Sequence, residues 1–173
     1  MRIWHFLATT ILAAGLITAQ PAVEDPNNGS GKLSAGDTTF IHTAATTSMT
    51  EAALAKIGVE RASDANVKSY AQKLWDDHNK MNHDLAEIAK KKGLAIPAGK
   101  GGGEAETALS GATGKDFDQL FLKHMVADHE KAVALFEKHQ STSDMDLKTF
   151  IDTNLPTLRS HLEQAKSLHS TGG

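Results

Sequence analysis

Four ionisable side chains stand in otherwise apolar helical patterns of this sequence. They are Glu51, His78, His129 and His161. Each would lie on the inner face of a different long helix, and burying such a group is costly unless it is hydrogen-bonded, paired or bound to a metal ion. Imidazole and carboxylate groups on facing helices are how helical bundles build metal sites. We therefore take these four residues as candidate metal ligands.

The heights of these residues along their helices predict how they would group. In an up-down-up-down bundle with about 1.5 Å per residue, the glutamate and the first two histidines fall within about 5 Å of one another along the axis. His161 falls about one turn deeper, at the level of Met81 and Met125. The pattern predicts a Glu/His/His cluster with a His/Met/Met cluster beneath it, so the two methionines are further candidate ligands.

The sequence leaves the metal and the function open between alternatives. Imidazole with carboxylate suits Zn, Fe or Mn, whereas His with Met suits Cu(I). In the main alternative, the histidines are hydrogen-bonded core residues of a non-catalytic envelope module that binds a protein partner or forms a homo-oligomer. An oxidase or peroxide-handling enzyme is disfavoured, because di-iron bundles carry Glu three residues before His on two helices. Trp75, Val126 and Leu158 stand at those positions here. Metal binding without a defined reaction is the leading hypothesis.

Four long amphipathic helices would position the candidate ligands. No segment alternates with period two, so the sequence predicts an all-α fold, an up-down-up-down four-helix bundle over residues 37–170. A Gly-rich crossover over residues 94–113 separates helices 2 and 3. Pro156 predicts either a kink in helix 4 or a restart at Asn154. The predicted helix boundaries are Asp37 to about Ala62, a Ser63-Asp64 cap to Gly93, a start near Lys115, and a capping box formed by Ser143 and Asp146.

The N-terminal region predicts export. Residues 1–19 have the charged start, short apolar middle and small-residue end of a secretory signal peptide, with cleavage after Ala19. Retention as an anchor is the alternative, but the apolar run from Phe6 to Ile17 is shorter than the roughly 20 residues of a membrane-spanning helix. Residues 20–36 are rich in Pro, Gly and Asn and predict a disordered tether. We expect a periplasmic or otherwise exported protein with no stable membrane span after cleavage.

Charge and cysteine content exclude several kinds of site. The chain has 18 Lys+Arg, 21 Asp+Glu and no Cys. Without cysteine it can form neither a disulfide framework nor a thiolate metal site. The mild excess of negative charge is spread along the chain, whereas phosphate binding needs a concentrated basic face, so nucleic acid is not expected as a partner.

Three stretches of sequence carry a resemblance to a known family. They resemble exported bacterial ferritin-like proteins of domain of unknown function 4142 over about residues 37–169. The resemblance implies a ferritin-like four-helix fold and an envelope location, and it implies no reaction. The stretches are Leu74-Trp75-Asp76-Asp77-His78-Asn79 followed by Leu85-Ala86-Glu87-Ile88-Ala89, then Phe117-Asp118 followed by Met125-Val126-Ala127-Asp128-His129, and finally Leu155-Pro156-Thr157-Leu158-Arg159-Ser160-His161-Leu162.

Overall fold

A computed structural model of the chain describes residues 32–98 and 103–172, and this part contains helices and no β-strand. The predicted all-α class is therefore confirmed. The predicted signal peptide and residues 20–31 of the predicted tether lie outside the described residues. No helix within the described ranges is both long enough and apolar enough to cross a lipid bilayer. The helices are α1 (Ala35–Arg61), α2 (Ala65–Lys91), α3 (Gly103–Ser110), α4 (Gly114–His139) and α5 (Met145–Thr171).

The direction of α4 differs from the prediction. Asp118, near the start of α4, accepts hydrogen bonds from the backbone N–H groups of Ser63 (3.0 Å) and Asp64 (2.9 Å), which form the turn between α1 and α2. At the other end of the bundle, Nε2 of His139 at the end of α4 lies 2.9 Å from Oδ1 of Asp37 in the first turn of α1. Helix α4 therefore runs parallel to α2. The predicted up-down-up-down order is wrong within the confirmed bundle, and the observed order is up-down-down-up.

A long connection makes this order possible. Helix α2 has 27 residues, so the chain must travel about 40 Å to return to the end where α2 began. The described parts of the connection, residues 92–98 and 103–113, are long enough for much of that distance, because extended chain covers about 3.3 Å per residue. Arg61 Nη2 donates to the Ala112 carbonyl oxygen at 2.6 Å, which fixes the end of the connection beside the end of α1. Helices α1, α2, α5 and α4 then neighbour one another in that circular order.

Two predicted helix caps move by a few residues. Helix α1 is capped by Ser34 rather than Asp37, and Asp37 completes a capping box by accepting from the Ser34 backbone N–H. Helix α5 is capped by Asp144 rather than Ser143. In both places several residues able to cap lie close together, so composition alone does not select one. Helix α5 continues through Pro156, so it does not restart at Asn154.

The core consists of two apolar clusters separated by buried polar residues. The cluster at the end where α1 begins includes Phe40, Ile41, Met81, Leu85, Phe136, Phe150 and Ile151. The cluster at the end with the α1–α2 turn includes Leu54, Tyr70, Leu74, Phe117, Phe121, Leu122 and Met125. Asp37 and Asp118 are buried near the ends of the bundle, and the other buried polar residues of the long helices fall between these two sets. We call them the polar layer, and its members are Ser48, Glu51, His78, His129 and His161.

Candidate metal centre

The polar layer brings three imidazole rings together at the middle of the bundle. His78 on α2, His129 on α4 and His161 on α5 each have 0% exposure. The Nε2 atom of His129 lies 3.4 Å from His78 Nε2 and 3.3 Å from His161 Nδ1. One nitrogen from each ring lies within 4.8 Å of the others. Three candidate ligand atoms on three different helices therefore meet at one point.

Two of the rings are fixed in orientation and tautomer by acceptors on their outer side. His129 Nδ1 lies 2.9 Å from the Met125 carbonyl oxygen, and His161 Nε2 lies 2.8 Å from Asp77 Oδ2. A carbonyl and a carboxylate oxygen accept hydrogen bonds, so these outer nitrogens carry the ring protons. In the neutral rings, the inner nitrogens of His129 and His161 then hold lone pairs.

The third ring is held by a serine. His78 Nδ1 lies 3.0 Å from Ser48 Oγ, and that hydroxyl lies 3.5 Å from the His78 carbonyl oxygen. When the hydroxyl donates to the carbonyl and Nδ1–H of His78 donates to Oγ, the Nε2 lone pair of His78 also faces the centre. In the other tautomer the hydroxyl donates to Nδ1, and Nε2–H of His78 points at His129 Nε2, 3.4 Å away. In the first tautomer three lone pairs point at one another. Such an arrangement is repulsive unless a cation shares them, and outer partners of this kind are typical of metal-binding histidines.

Burial keeps the three rings in their neutral form. It lowers the pKa of His78 well below its usual value, and the charges of His129 and His161 act in the same direction. It lowers the pKa of His129 to about 4, again with a contribution from His161. Burial also lowers the pKa of His161, although the hydrogen bond with Asp77 opposes it. Near neutral pH the rings are in the form that binds metal ions.

Glu51, a predicted ligand, lies behind two of the rings rather than between them. Its Oε1 is 3.4 Å from His129 Nδ1 and its Oε2 is 3.6 Å from His78 Nδ1, which are the ring nitrogens directed away from the centre. The residue is 2% exposed, and Oε1 has no hydrogen-bond partner among the described residues. Burial raises the pKa of Glu51 to about 8, and the negative charge of Asp128 adds to the shift.

The predicted His/Met/Met cluster does not form. His161 lies level with the other two histidines rather than one turn below them, because α5 runs parallel to α1 and not antiparallel to it. Helices α1 and α5 end at the same end, and Glu51 and His161 each lie about ten residues before that end. The two methionines lie on opposite sides of the polar layer, Met81 in one apolar cluster and Met125 in the other. Helices α2 and α4 run parallel, and Met81 follows His78 on α2 whereas Met125 precedes His129 on α4. The two methionines therefore lie on opposite sides of the histidines.

Three supporting contacts were not predicted. Ser48 lies three residues before Glu51, a spacing that would have placed it on the same helix face. Asp77, next to His78 in the sequence, contacts His161 on α5 rather than that neighbour. Lys73, four residues before Asp77 on the same helix, lies 2.5 Å from its carboxylate. Only the packing of α2 against α5 reveals that this pair faces His161.

Comparisons with known proteins agree with the fold. No curated protein matches the chain. A similar solved structure is the crystal structure of a DUF305 fragment from Deinococcus radiodurans, with 14% identity and a TM-score of 0.73, covering 82% of this chain and 99% of that one. At that identity the likeness shows a shared helical fold alone. A family model described as a domain of unknown function, DUF4142, matches residues 22–168. The predicted family is therefore confirmed, and the chain belongs to the DUF4142 family.

Proposed function

We propose that this domain binds one transition-metal ion through His78 Nε2, His129 Nε2 and His161 Nδ1. The observation that carries the proposal is the convergence of three buried imidazole nitrogens whose rings are each held by an outer hydrogen bond. A buried polar cluster without a partner at its centre is unfavourable. A bound cation would remove that cost, because it accepts all three lone pairs at once.

The distances between the inner nitrogens suit a metal ion. A tetrahedral ion with metal–nitrogen bonds of about 2.0–2.1 Å has ligand nitrogens about 3.3–3.4 Å apart. Two of the three separations in the centre are 3.3 and 3.4 Å. The third, between His78 and His161, is within 4.8 Å, so ion binding would draw these two rings together. Imidazole ligands without an inner carboxylate favour Zn, Cu or Fe over Mn, which prefers oxygen.

The surrounding carboxylates would balance the charge of the ion. Asp77 contacts the outer nitrogen of His161, and Glu51 lies near the outer nitrogens of the other two rings. Carboxylates in these positions make the imidazoles stronger ligands and fix their orientation. In this scheme Glu51 is a positioning residue. A dication beside it would favour the ionised carboxylate that burial alone disfavours.

The cellular location in the proposal rests on the N-terminal sequence. The charged, apolar and small-residue sections of residues 1–19 support export to the periplasm or beyond. N-terminal sequencing of the protein recovered from its native cells tests this part. A mature chain beginning near Gln20 is expected, and an intact Met1 would contradict cleavage.

Equilibrium dialysis with metal analysis tests the binding proposal. The protein is dialysed against micromolar Zn²⁺, Cu⁺ or Fe²⁺, and about one ion per chain is expected. His129→Ala should weaken binding by more than the roughly 10–100-fold that loss of an outer partner causes. His83→Ala is the matched control, because His83 is an exposed histidine outside the layer. Absence of bound metal, or an equal loss in the control, would overturn the proposal.

A second candidate function is a partner-binding envelope module with hydrogen-bonded core histidines. The outer hydrogen bond that each ring makes favours it. The variant His129→Leu separates the two candidates in calorimetry. In metal-free protein both expect an intact or more stable fold, because an apolar side chain replaces a buried polar one. With metal added, the metal-binding proposal expects stabilisation of the wild type alone, whereas the second candidate expects none in either protein.

A further inference from the structure

A cavity of about 490 Å³ lies between α1 and α4, beside the polar layer. Its inner end is lined by the buried residues Ser48 and Glu51. Its opening lies at Asp128 and Lys131, whose side chains are 25% and 77% exposed. None of the three histidines lines it. The cavity therefore leads from solvent to Glu51 and does not include the three rings.

We propose that this cavity binds a small organic amine. The amine nitrogen donates a hydrogen bond to the Glu51 carboxyl group, and the hydrocarbon body packs on the apolar wall of α4, which includes Leu135 and Phe136. This inference goes beyond metal binding and does not depend on it. It assigns a second ligand to the bundle, at a separate site that shares Glu51.

The unpaired oxygen of Glu51 points to a ligand that donates. Its Oε1 is buried and lacks a hydrogen-bond partner among the described residues. Buried polar atoms in native proteins are nearly always paired, so an orphan of this kind calls for a partner that the chain does not supply. The cavity is the open side from which such a partner can reach Glu51. An N–H group satisfies the oxygen, whereas a ligand carboxylate would offer only another acceptor.

The charges around the cavity favour a cationic head group. Lys131 lies 3.2 Å from Asp128, so this basic residue at the opening is already matched by an acid. Glu51 is then the acid without a matching base in the lining. Burial alone favours the protonated form of Glu51, so a bound ammonium group would favour its carboxylate and pair with it, which a ligand anion cannot do.

The size and walls of the cavity suit a small molecule. Ligand sites in proteins typically measure about 300–1,000 Å³ and combine apolar walls with a few polar groups. The volume of about 490 Å³ lies in that range. The α1 wall consists largely of short side chains such as Thr43, Ala44 and Thr47, which leave the space between the helices open. The hydroxyl groups of this wall also accept hydrogen bonds from the remaining N–H atoms of an amine.

Titration calorimetry with three matched probes tests the proposal. n-Hexylammonium, n-hexanol and hexanoate are titrated into the full chain in the presence of EDTA. Saturable one-to-one binding of n-hexylammonium in the millimolar range or tighter is expected, at least tenfold stronger than binding of either other probe. Glu51→Gln should weaken it at least tenfold. The matched control is Glu130→Gln, because Glu130 is exposed, pairs with Lys166 and does not line the cavity.

A second pair of variants keeps the test independent of changes in the core. Thr43 is exposed at the cavity wall, so Thr43→Trp should obstruct the cavity and weaken n-hexylammonium binding at least tenfold without disturbing the fold. Thr39→Trp, one turn earlier on α1 and outside the lining, should bind like the wild type. Equal binding of the three probes, or equal affinity in Thr43→Trp and Thr39→Trp, would overturn the proposal. Zinc binding measured on the same samples reports separately on the histidine centre.

Discussion

Two histidine–carboxylate groups in this bundle have the same chemistry and opposite surroundings. At the end where α1 begins, Asp37 accepts hydrogen bonds from the Ser34 backbone and hydroxyl, from the Thr142 hydroxyl and from His139 Nε2, all within 3.1 Å. Burial acts to raise the pKa of Asp37, but the hydrogen bonds from Ser34, Thr142 and His139 outweigh it and lower the pKa to about 2. This group is complete as it stands.

The group at the centre of the bundle is incomplete by comparison. Glu51 lies 3.4 and 3.6 Å from the nearest nitrogens of His129 and His78, and its Oε1 has no hydrogen-bond partner in the described part of the chain. Burial, without compensating hydrogen bonds, raises the pKa of Glu51 to about 8. The hydrogen bonds of the acid are thus closed within the chain at one end of the bundle, whereas an acceptor stays open at its centre. The open group is the one for which we propose external ligands.

The largest expected effect that separates the two groups is stabilisation by metal. Zinc at about 1,000 times its dissociation constant should stabilise the wild type by about 4 kcal/mol. His161→Leu should lose this gain, because it removes one of three ligands. Asp37→Asn should keep it, because Asp37 lies outside the polar layer. Differential scanning calorimetry with zinc and with EDTA measures the gain, and equal gains in all three proteins would contradict the assignment.

The next effect is a stabilising substitution at the centre. The pKa of Glu51 is raised from its ordinary value of 4.5 to about 8, so folding at a pH between these values requires the carboxylate to take up a proton. Stability of the metal-free protein is therefore reduced progressively as the pH rises from 4.5 to 8. Glu51→Gln removes this cost and should be more stable than the wild type by about 4 kcal/mol at pH 8.

Urea unfolding of both proteins in EDTA at pH 5 and pH 8 measures this difference. The advantage of Glu51→Gln should be small at pH 5 and large at pH 8. A difference that does not change with pH would show that Glu51 is not protonated in the folded state.

The pH dependence of stability expected from Asp37 has the opposite sign. Since the pKa of Asp37 falls from 3.8 to about 2 on folding, its ionised form stabilises the protein above pH 3.8, and the contribution is lost as the pH falls through about 2. Asp37→Asn should cost about 2 kcal/mol at pH 7 and nearly nothing at pH 2. Urea unfolding at both pH values measures it. Asp152→Asn, at a side chain 47% exposed, is the control with little expected change.

The smallest effect concerns the serine that holds His78. Ser48→Ala removes the hydroxyl that lies 3.0 Å from His78 Nδ1, leaving the ring free to rotate. Zinc affinity should fall by about tenfold, at the lower end for loss of an outer partner. Ser69 on α2 is exposed and lies outside the polar layer, so Ser69→Ala is the control. Competition against a zinc indicator measures both, and equal affinity in the two variants would remove Ser48 from the site.

The sequence by itself determined the four long helices and four of the polar residues that they bury. Helical periodicity depends on local spacing, so the inward positions of Glu51, His78, His129 and His161 could be predicted without any tertiary information. All four are buried. The start of α2 at the Asp64 cap was equally local, because that carboxylate accepts from the N–H groups of Asn66 and Val67 in the next turn.

Tertiary structure decided how the helices run and which side chains meet. The direction of α4 follows a long connection, so no local pattern encodes it, and the contacts of Asp118 with Ser63 and Asp64 are needed to establish it. That direction sets the height of His161 and separates Met81 from Met125. It also brings Asp77 on α2 into contact with the His161 ring on α5. Spacing along one helix fixes the face on which a residue lies, whereas its partners depend on packing between helices that are distant in sequence.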